Sequence, residues 1–413
     1  MPDALLESNP HCLQAHESEV RQCRTDLPFD MELRMDGQDV PDQPYVELKH
    51  LDASVQHWGQ LKLLLGELDF LTPYLHVPRL TVVYAGSSPG HHLPVLVDAM
   101  PPSWTWELYD DKPNEVFAGP YFYERLLKKT VSERHRNCKA NAQPGSYLAR
   151  EQCLLDQKRE EERELLGKME GMTEHLIRQQ KNSVWEAEHT ALVMREHRPN
   201  VCVNQSLLSV HTAMLLRRAY VKRPQTADDP QLLFISDIRT PSATITEELI
   251  NEDMRVQSSI AKAMRPYQSS LKFRLPYSDH YELEHRYLNG KLLYQPFAPK
   301  VSHECRLHVG HGCGKRMYNR VEYNNKMFQY QTVLRTSVYD HGDALPDAER
   351  HPHLVSKRVG TDNCFDCNAA RQIVSQYAAK AGKPDALAVM NDMVGRLCAV
   401  QRACWADGSL EDD

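Results

Sequence analysis

No stretch of 18 apolar residues occurs in this 413-residue chain, which excludes a single hydrophobic helix long enough to span a bilayer. The opening MPDALLESNPHCLQAHESEV has no basic segment followed by an apolar one, so no secretory leader is expected there. Excess positive charge is missing too. The formal sum is −7, on its face the wrong sign for a partner built of phosphates. That sum is a poor guide, because the acids are bunched in KREEERELLGKMEGMTE at 158–174 and in the LEDD tail. Basic clusters stand elsewhere, at Arg217, Arg218, Lys222 and Arg223, and again at Arg306, Lys315, Arg316, Arg320 and Lys326. There is no internal repeat and no GxGxxG.

Regularly paired cysteines are also wanting. Eleven cysteines, an odd count at irregular spacing, read as reduced thiols of a nuclear or cytosolic protein. His303, Cys305, His308, His311 and Cys313 crowd together, and Cys364 and Cys367 form one CxxC. A structural zinc site wants four ligands at regular paired spacing. Here the residues interleave with a strand pattern, so core and strand roles are expected and no metal is.

What is present is a strand–helix rhythm. Residues 1–56 read as an N-terminal arm, polar and aperiodic through residue 44 and expected to be mobile. At 57–72, Leu61, Leu64, Leu65, Leu68 and Leu71 form an apolar stripe at helical spacing, with Lys62 on its border. LTVVY (80–84) is a buried-type strand, followed by a glycine turn, a helix in HHLPVLVDAM and a strand in TWELYD. The rhythm breaks at about 118–197, where charged, leucine-bearing text predicts a long helical insertion. It resumes with strand NVCVNQ, helix HTAMLLRRAY and the strong buried strand QLLFISD. Further strands are expected at 269–275, 291–296, 304–309 and 327–335, and the last 60 residues as mostly helical. This alternation predicts an α/β sheet with helices on both faces. One domain over 57–345, carrying the insertion and completed by 346–413, fits better than two.

Four polar residues sit where chemistry is expected: Lys62 in GQLKLLLGEL, Asp237 in LLFISDIRT, Lys272 in SSLKFRLPY and Glu304 in HECRL. A lysine set between two carboxylates and a second lysine is electrostatically unusual. Burial and the second ammonium lower its pKa, while the carboxylates raise it and orient it. Such an amine can accept a hydroxyl proton near neutral pH. Against this, Asp237 could be a helix cap and each lysine a surface ion pair. In VVYAGSSPG, Gly86 and Gly90 follow a strand and let the backbone approach a ligand, and Asp110 ends the next strand, suited to paired ribose hydroxyls. A plain tight turn with a solvated Asp110 is the other reading.

GQLKLLLGEL, VVYAGSSPG, LLFISDIRT, SSLKFRLPY, LLYQPFAP and HECRL, in that order, resemble the poxvirus cap-specific 2′-O-methyltransferase family, also described as poly(A) polymerase stimulatory subunits. The likeness covers about 57–110 and 200–340. It implies a Rossmann-like S-adenosyl-L-methionine fold and a Lys-Asp-Lys-Glu tetrad at Lys62, Asp237, Lys272 and Glu304. It also implies methyl-donor contacts at Gln60, Tyr84, Gly86, Gly90, Asp110 and Asp237, with Lys112 where the family has arginine. For the methylated guanine of the cap it implies Tyr277 and Asp279, with Arg274 in the same stretch and Tyr45 as the second aromatic. The family's second acid falls on Asn324, two residues from Glu322.

The function so implied is methyl transfer from S-adenosyl-L-methionine to a ribose 2′-hydroxyl near the 5′ cap of RNA. Lys272 would be the base, Asp237 and Glu304 would tune it, and Lys62 would support it. The composition resembles trypanosomatid relatives that modify spliced-leader RNA, which favours the second transcribed nucleotide and a nuclear location, or the cytoplasm if the chain is viral. Capped RNA is the expected partner, with no membrane and with the 118–197 insertion as a docking point for protein. Two rivals stand: a non-catalytic cap-binding or polymerase-stimulating subunit, and a 2′-O-methyltransferase of ribosomal or transfer RNA.

Overall fold

The computed structural model describes residues 29–37, 44–45, 58–118, 196–240, 246–299, 302–335, 337, 339 and 364–405. Most of the expected insertion (119–195), most of the N-terminal arm and the tail from 406 lie outside the described residues.

In chain order the elements are β1 (Glu32–Leu33), α1 (Gly59–Leu71), β2 (Thr81–Ala85), α2 (Leu93–Ala99), β3 (Thr105–Asp110), β4 (Phe117–Ala118), β5 (Glu196–His197) and β6 (Val201–Gln205). Then follow α3 (Val210–Tyr220), β7 (Leu232–Ser236), α4 (Glu247–Met264), β8 (Gln268–Phe273), β9 (Glu284–Leu288), β10 (Lys291–Leu293), β11 (Cys305–Gly310) and β12 (Lys315–Asn319). Helices α5 (Arg320–Gln329), α6 (Phe365–Lys380) and α7 (Ala386–Trp405) complete the described part. The fold is mixed α/β around an eight-stranded sheet of order β1-β10-β11-β8-β7-β2-β3-β6. Strands β6, β3, β2, β7 and β8 are parallel, and β11, β10 and β1 continue the sheet antiparallel.

Alternate side chains of one strand feed opposite layers, as a pleated strand requires. Val82 and Tyr84 face the core shared by α1, α2, α6 and α7, whereas Val83 and Ala85 face the core shared by α3, α4 and α5. Helices therefore cover both faces, and α6 and α7 close over α1 and α2. A fully buried ion pair, Arg335 to Asp366 at 2.6 Å, fastens the start of α6, with Arg335 also donating to the carbonyl of Ala298 at 2.9 Å. Among the described residues no helix is long and apolar enough to cross a membrane.

The chain leaves β2 toward β3 on one side, and β7 occupies the other. This reversal of strand order opens a crevice at the carboxyl ends of β2 and β7, where ligands bind in sheets of this type.

Two expectations differ. Residues 327–335 were expected as a strand from their aromatic and β-branched text. They form instead the end of α5 and a π-helical turn at Tyr330–Leu334, closed by Arg335 N–H to Tyr330 O at 2.9 Å. Buried Gln331 is satisfied there by donating to the carbonyl of Ser302 at 2.7 Å. The part of the arm at 29–37 is not loose: β1 pairs with β10 and buries Leu33 and Met35. Of the second basic cluster, Arg306, Arg320 and Lys326 are buried.

Candidate active site

Three strand ends and one helix converge at the crevice. Asp237 follows β7 directly, and its N–H donates to the carbonyl of Ala85 at 2.8 Å, which ties it to the end of β2. Gly86 has φ of +81°, and a Cβ built on it would lie 2.5 Å from the carbonyl oxygen of Asp237, so only glycine permits this approach. Lys272 is the fifth residue of β8, one step past the Ser236–Leu271 pair, which brings it level with Asp237. Glu304 precedes β11, and Lys62 reaches in from α1.

The four predicted residues meet. Lys272 Nζ lies 3.2 Å from Asp237 Oδ1 and 3.9 Å from Glu304 Oε2, and it donates to the Asp237 carbonyl at 3.3 Å. Lys62 Nζ donates to the other oxygen of Glu304 at 3.3 Å. Burial favours the neutral form of Lys272 and outweighs the two carboxylates, and Arg239 and Lys62 add to the lowering, so its pKa falls below the ordinary lysine value. Burial alone would raise Asp237, but Lys272, Arg306 and Lys62 hold it down at about 2. Glu304 is likewise held well below its usual range by Lys272, Lys62, Arg306 and Arg239 against the opposing effect of burial.

Arg306 is the residue that sequence reasoning missed. The β8–β11 register sets it directly opposite Lys272, two cations side by side on one face of the sheet. Its guanidinium pairs with Asp237 Oδ1, the same oxygen that Lys272 uses. It also donates to the carbonyl of Ser236 at 2.9 Å and to Gln295 Oε1 at 3.1 Å. Gln295 in turn donates to Glu304 Oε1 at 3.2 Å. Arg239 donates to Glu304 Oε2 at 3.2 Å from the half-exposed rim. Beside the amine a cavity opens, walled by Ile238, Leu249, Met254 and Phe273 with Arg274 and Ser302 at its edge.

The predicted donor residues gather around the turn after β2. Asp110 accepts from the Ser88 and Lys112 amides, each at 2.9 Å, and burial raises its pKa. A carboxylate oxygen has two lone pairs, so both oxygens retain accepting capacity. Gly90 has φ of +83°, and a Cβ built on it would lie 2.7 Å from Asn114 Nδ2. Gln60 Oε1 accepts from the His92 backbone at 3.2 Å, and Tyr84 is fully buried, its hydroxyl donating to Glu67 at 2.5 Å. Gln60 and Tyr84 thus brace the turn from below, while Lys112 is exposed.

The predicted cap residues split. The rings of Tyr45 and Tyr277 stack at 5.4 Å and 13°, and the Arg274 guanidinium lies 4.0 Å from the Tyr277 centroid while pairing with Glu247. Tyr277 Oη accepts from the His303 N–H at 3.1 Å, one residue from Glu304, so this stack abuts the carboxylate cluster. Asp279 is exposed nearby. Asn324 is buried and committed, donating to Pro276 O at 2.7 Å and meeting His303 Nδ1 at 2.9 Å. Glu322 is held by Lys326 at 3.2 Å and the Gly37 amide at 3.1 Å. The cysteine and histidine crowd also has structural partners: Cys305 with Tyr323 at 3.3 Å, His303 with Asn324, and Cys364 capping α6 through the Cys367 amide at 3.4 Å.

A family model described as poly A polymerase regulatory subunit matches residues 39–119 and 194–366. The cap-specific mRNA (nucleoside-2′-O-)-methyltransferase of Fowlpox virus (strain NVSL) is 25% identical over 311 residues, covering 71% of this chain and 72% of that protein. The protein of the same name from Myxoma virus (strain Lausanne) is 22% identical over 370 residues, covering 84% and 82%. Among solved structures, the bluetongue virus VP4 structure, described as a multifunctional RNA-capping production line, matches with a TM-score of 0.35 at 13% identity. That match covers 84% of this chain and 46% of the other, so the chain spans about half of its length.

Proposed function

Because the chain belongs to the poly A polymerase regulatory subunit family, we propose that it methylates a ribose 2′-hydroxyl near the 5′ cap of RNA, using S-adenosyl-L-methionine bound on a Rossmann-like sheet. The observation that carries this reading is the Lys272 amine, held between two ionised carboxylates at the carboxyl edge of β7 and β8 with its pKa lowered. Its viral relatives bear the matching name.

Gly86, Gly90 and Asp110 fit a nucleoside donor: a glycine turn into a helix beside a carboxylate with spare lone pairs. The donor would supply an electrophilic methyl group on a sulfonium. Lys272 takes the proton of the 2′-hydroxyl as the oxygen attacks. Asp237 and Glu304 fix the amine's direction, Lys62 holds the far side of Glu304, and the cavity by Ile238 and Leu249 seats the acceptor base. Alignment of donor and acceptor contributes much of the rate.

Tyr45 and Tyr277 would clasp the cationic methylated guanine, with Arg274, Asp279 and Glu322 at the rim. A purine plane between two rings needs about 7–8 Å, so the stacked pair must open by roughly 2 Å from its 5.4 Å spacing. Asn324 supports this site through His303 and Pro276 rather than by touching the base. Tyr277→Ala is expected to remove stacking worth about 1–3 kcal/mol and to erase the preference for capped over triphosphate RNA. A variant with the wild-type ratio would move the cap elsewhere.

Asp110→Ala is expected to weaken donor binding in calorimetry and leave capped-RNA binding intact; unchanged donor affinity would displace the donor from this turn.

The test of function is methyl transfer to capped RNAs bearing one 2′-hydroxyl at positions one to four, with the second position favoured. No transfer to any of them would sink the reading. The family description favours a second role, stimulation of a poly(A) polymerase without methyl transfer. If both roles exist, Lys272→Ala abolishes the first and spares the second. The unit is taken as one domain over 57–345, completed by the C-terminal helices, with the 118–197 insertion as a site for a protein partner.

A further inference from the structure

Beside the glycine turn, three metal-ligating side chains meet that play no part in the chemistry above. His91 lies in the turn leading into α2, Glu115 lies in the loop after β3, and Cys404 lies in the last turn of α7. Their ligand atoms all lie within 4.8 Å of one another, and His91 Nε2 is 2.7 Å from Glu115 Oε2. His91 and Cys404 are almost fully buried, and Glu115 is partly open.

We propose that His91 Nε2, Glu115 Oε2 and Cys404 Sγ bind a Zn2+ ion that pins helix α7 to the turn after β2. One thiolate, one imidazole and one carboxylate make a donor set that suits zinc and does not suit Mg2+ or Ca2+, which take oxygen ligands. Bond lengths of about 2.0–2.3 Å place tetrahedral donors roughly 3.3–3.7 Å apart. The His91–Glu115 pair therefore opens by less than about 1 Å. Three protein ligands leave a fourth position for water, the arrangement of open zinc sites rather than of closed four-ligand ones.

The surroundings are already rigid, as a preformed site needs. The Glu115 amide donates to Pro89 O at 3.1 Å. Asn114 Oδ1 accepts from Val116 at 3.1 Å and Phe117 at 2.8 Å, and its Nδ2 donates to Ser87 O at 3.3 Å. One turn before Cys404, Gln401 accepts from the Trp58 indole at 2.9 Å, at the start of α1. The end of α7 thus touches both the helix that carries Gln60 and Lys62 and the turn that carries Gly86 and Gly90. Coordination to a dication displaces the protons that the donor atoms carry.

The full-length protein, purified without chelator, is expected to hold one zinc per chain by elemental analysis. After chelation, Zn2+ titrated against a chromophoric competitor should bind stoichiometrically and raise the unfolding midpoint. Co2+ should give a thiolate charge-transfer absorption that Cys404→Ser removes and Cys313→Ser keeps. Cys404→Ser and His91→Ala should each weaken Zn2+ by about a hundredfold or more. Glu115→Gln, at the most exposed position of the three, keeps a hydrogen bond to His91 and tests the site if the buried variants fail to fold; it too should lose affinity. Substoichiometric zinc with identical Co2+ spectra for the wild type and Cys404→Ser would overturn the site, as would Zn2+ stabilisation unaffected by Glu115→Gln. These readouts do not involve methyl transfer, so they stand apart from the proposed reaction.

Discussion

Lys272→Arg is expected to lower turnover on saturating capped RNA by about two to four orders of magnitude, while donor and RNA affinities stay near the parental values. Arginine keeps the charge that balances Asp237 and Glu304, so the frame around the site is retained. It cannot give up its proton at any workable pH, so the 2′-hydroxyl loses its base. The wild-type rate should climb with pH as Lys272 deprotonates and then level off, with the rise displaced below the ordinary lysine range because the pKa is lowered by burial, Arg239 and Lys62. Lys272→Ala should fail equally, and with neither variant should substrate affinity account for the loss. Near-parental turnover in Lys272→Arg would reduce the cluster to an electrostatic frame and leave alignment as the source of rate.

What could be read in advance, and what could not, divides along burial. Lys62, Asp237, Lys272 and Glu304 were legible through the order and setting of their segments, which resemble those of the cap methyltransferase family; Lys62 also borders a leucine stripe and Asp237 follows the apolar run LLFIS. The structure brings all four together. The parallel strands were legible because β2 and β7 are buried on both faces and read as unbroken apolar text. Helix α4 was not. Its buried face includes Gln257 and Ser258 beside Met254, Ile260 and Met264, so no clean stripe marks it. The pair β9–β12 went unnoticed because its strands are mostly exposed, with one deeply buried residue each at Leu288 and Tyr318. Asn324 illustrates another limit: position within the resemblance gave it a cap role, but no local pattern records that its side chain donates to Pro276 O and meets His303 Nδ1.

Arg306 is the largest gap in that reading, and it yields the second large effect. Arg306→Met is expected to destabilise the fold by about 3–5 kcal/mol, because buried Glu304 and partly buried Asp237 lose a cation. It should also move the pH–rate profile upward. Arg306 and Lys272 share Asp237 Oδ1, so removing the guanidinium gives the whole carboxylate to the amine, which then holds its proton more firmly. With Lys272 neutral, the two carboxylates face Lys62, Arg306 and Arg239, an excess of one positive charge. Removing Arg306 cancels that excess and with it part of the drive to deprotonate. Arg239→Gln removes a cation without the packing loss, so it should shift the profile in the same direction. Arg306→Lys keeps the charge but cannot reach Ser236, Gln295 and Asp237 together, so it should restore the profile and not the melting temperature. Profiles of Arg306→Met and wild type that superimpose would show that the cations around Asp237 do not set the basicity of Lys272.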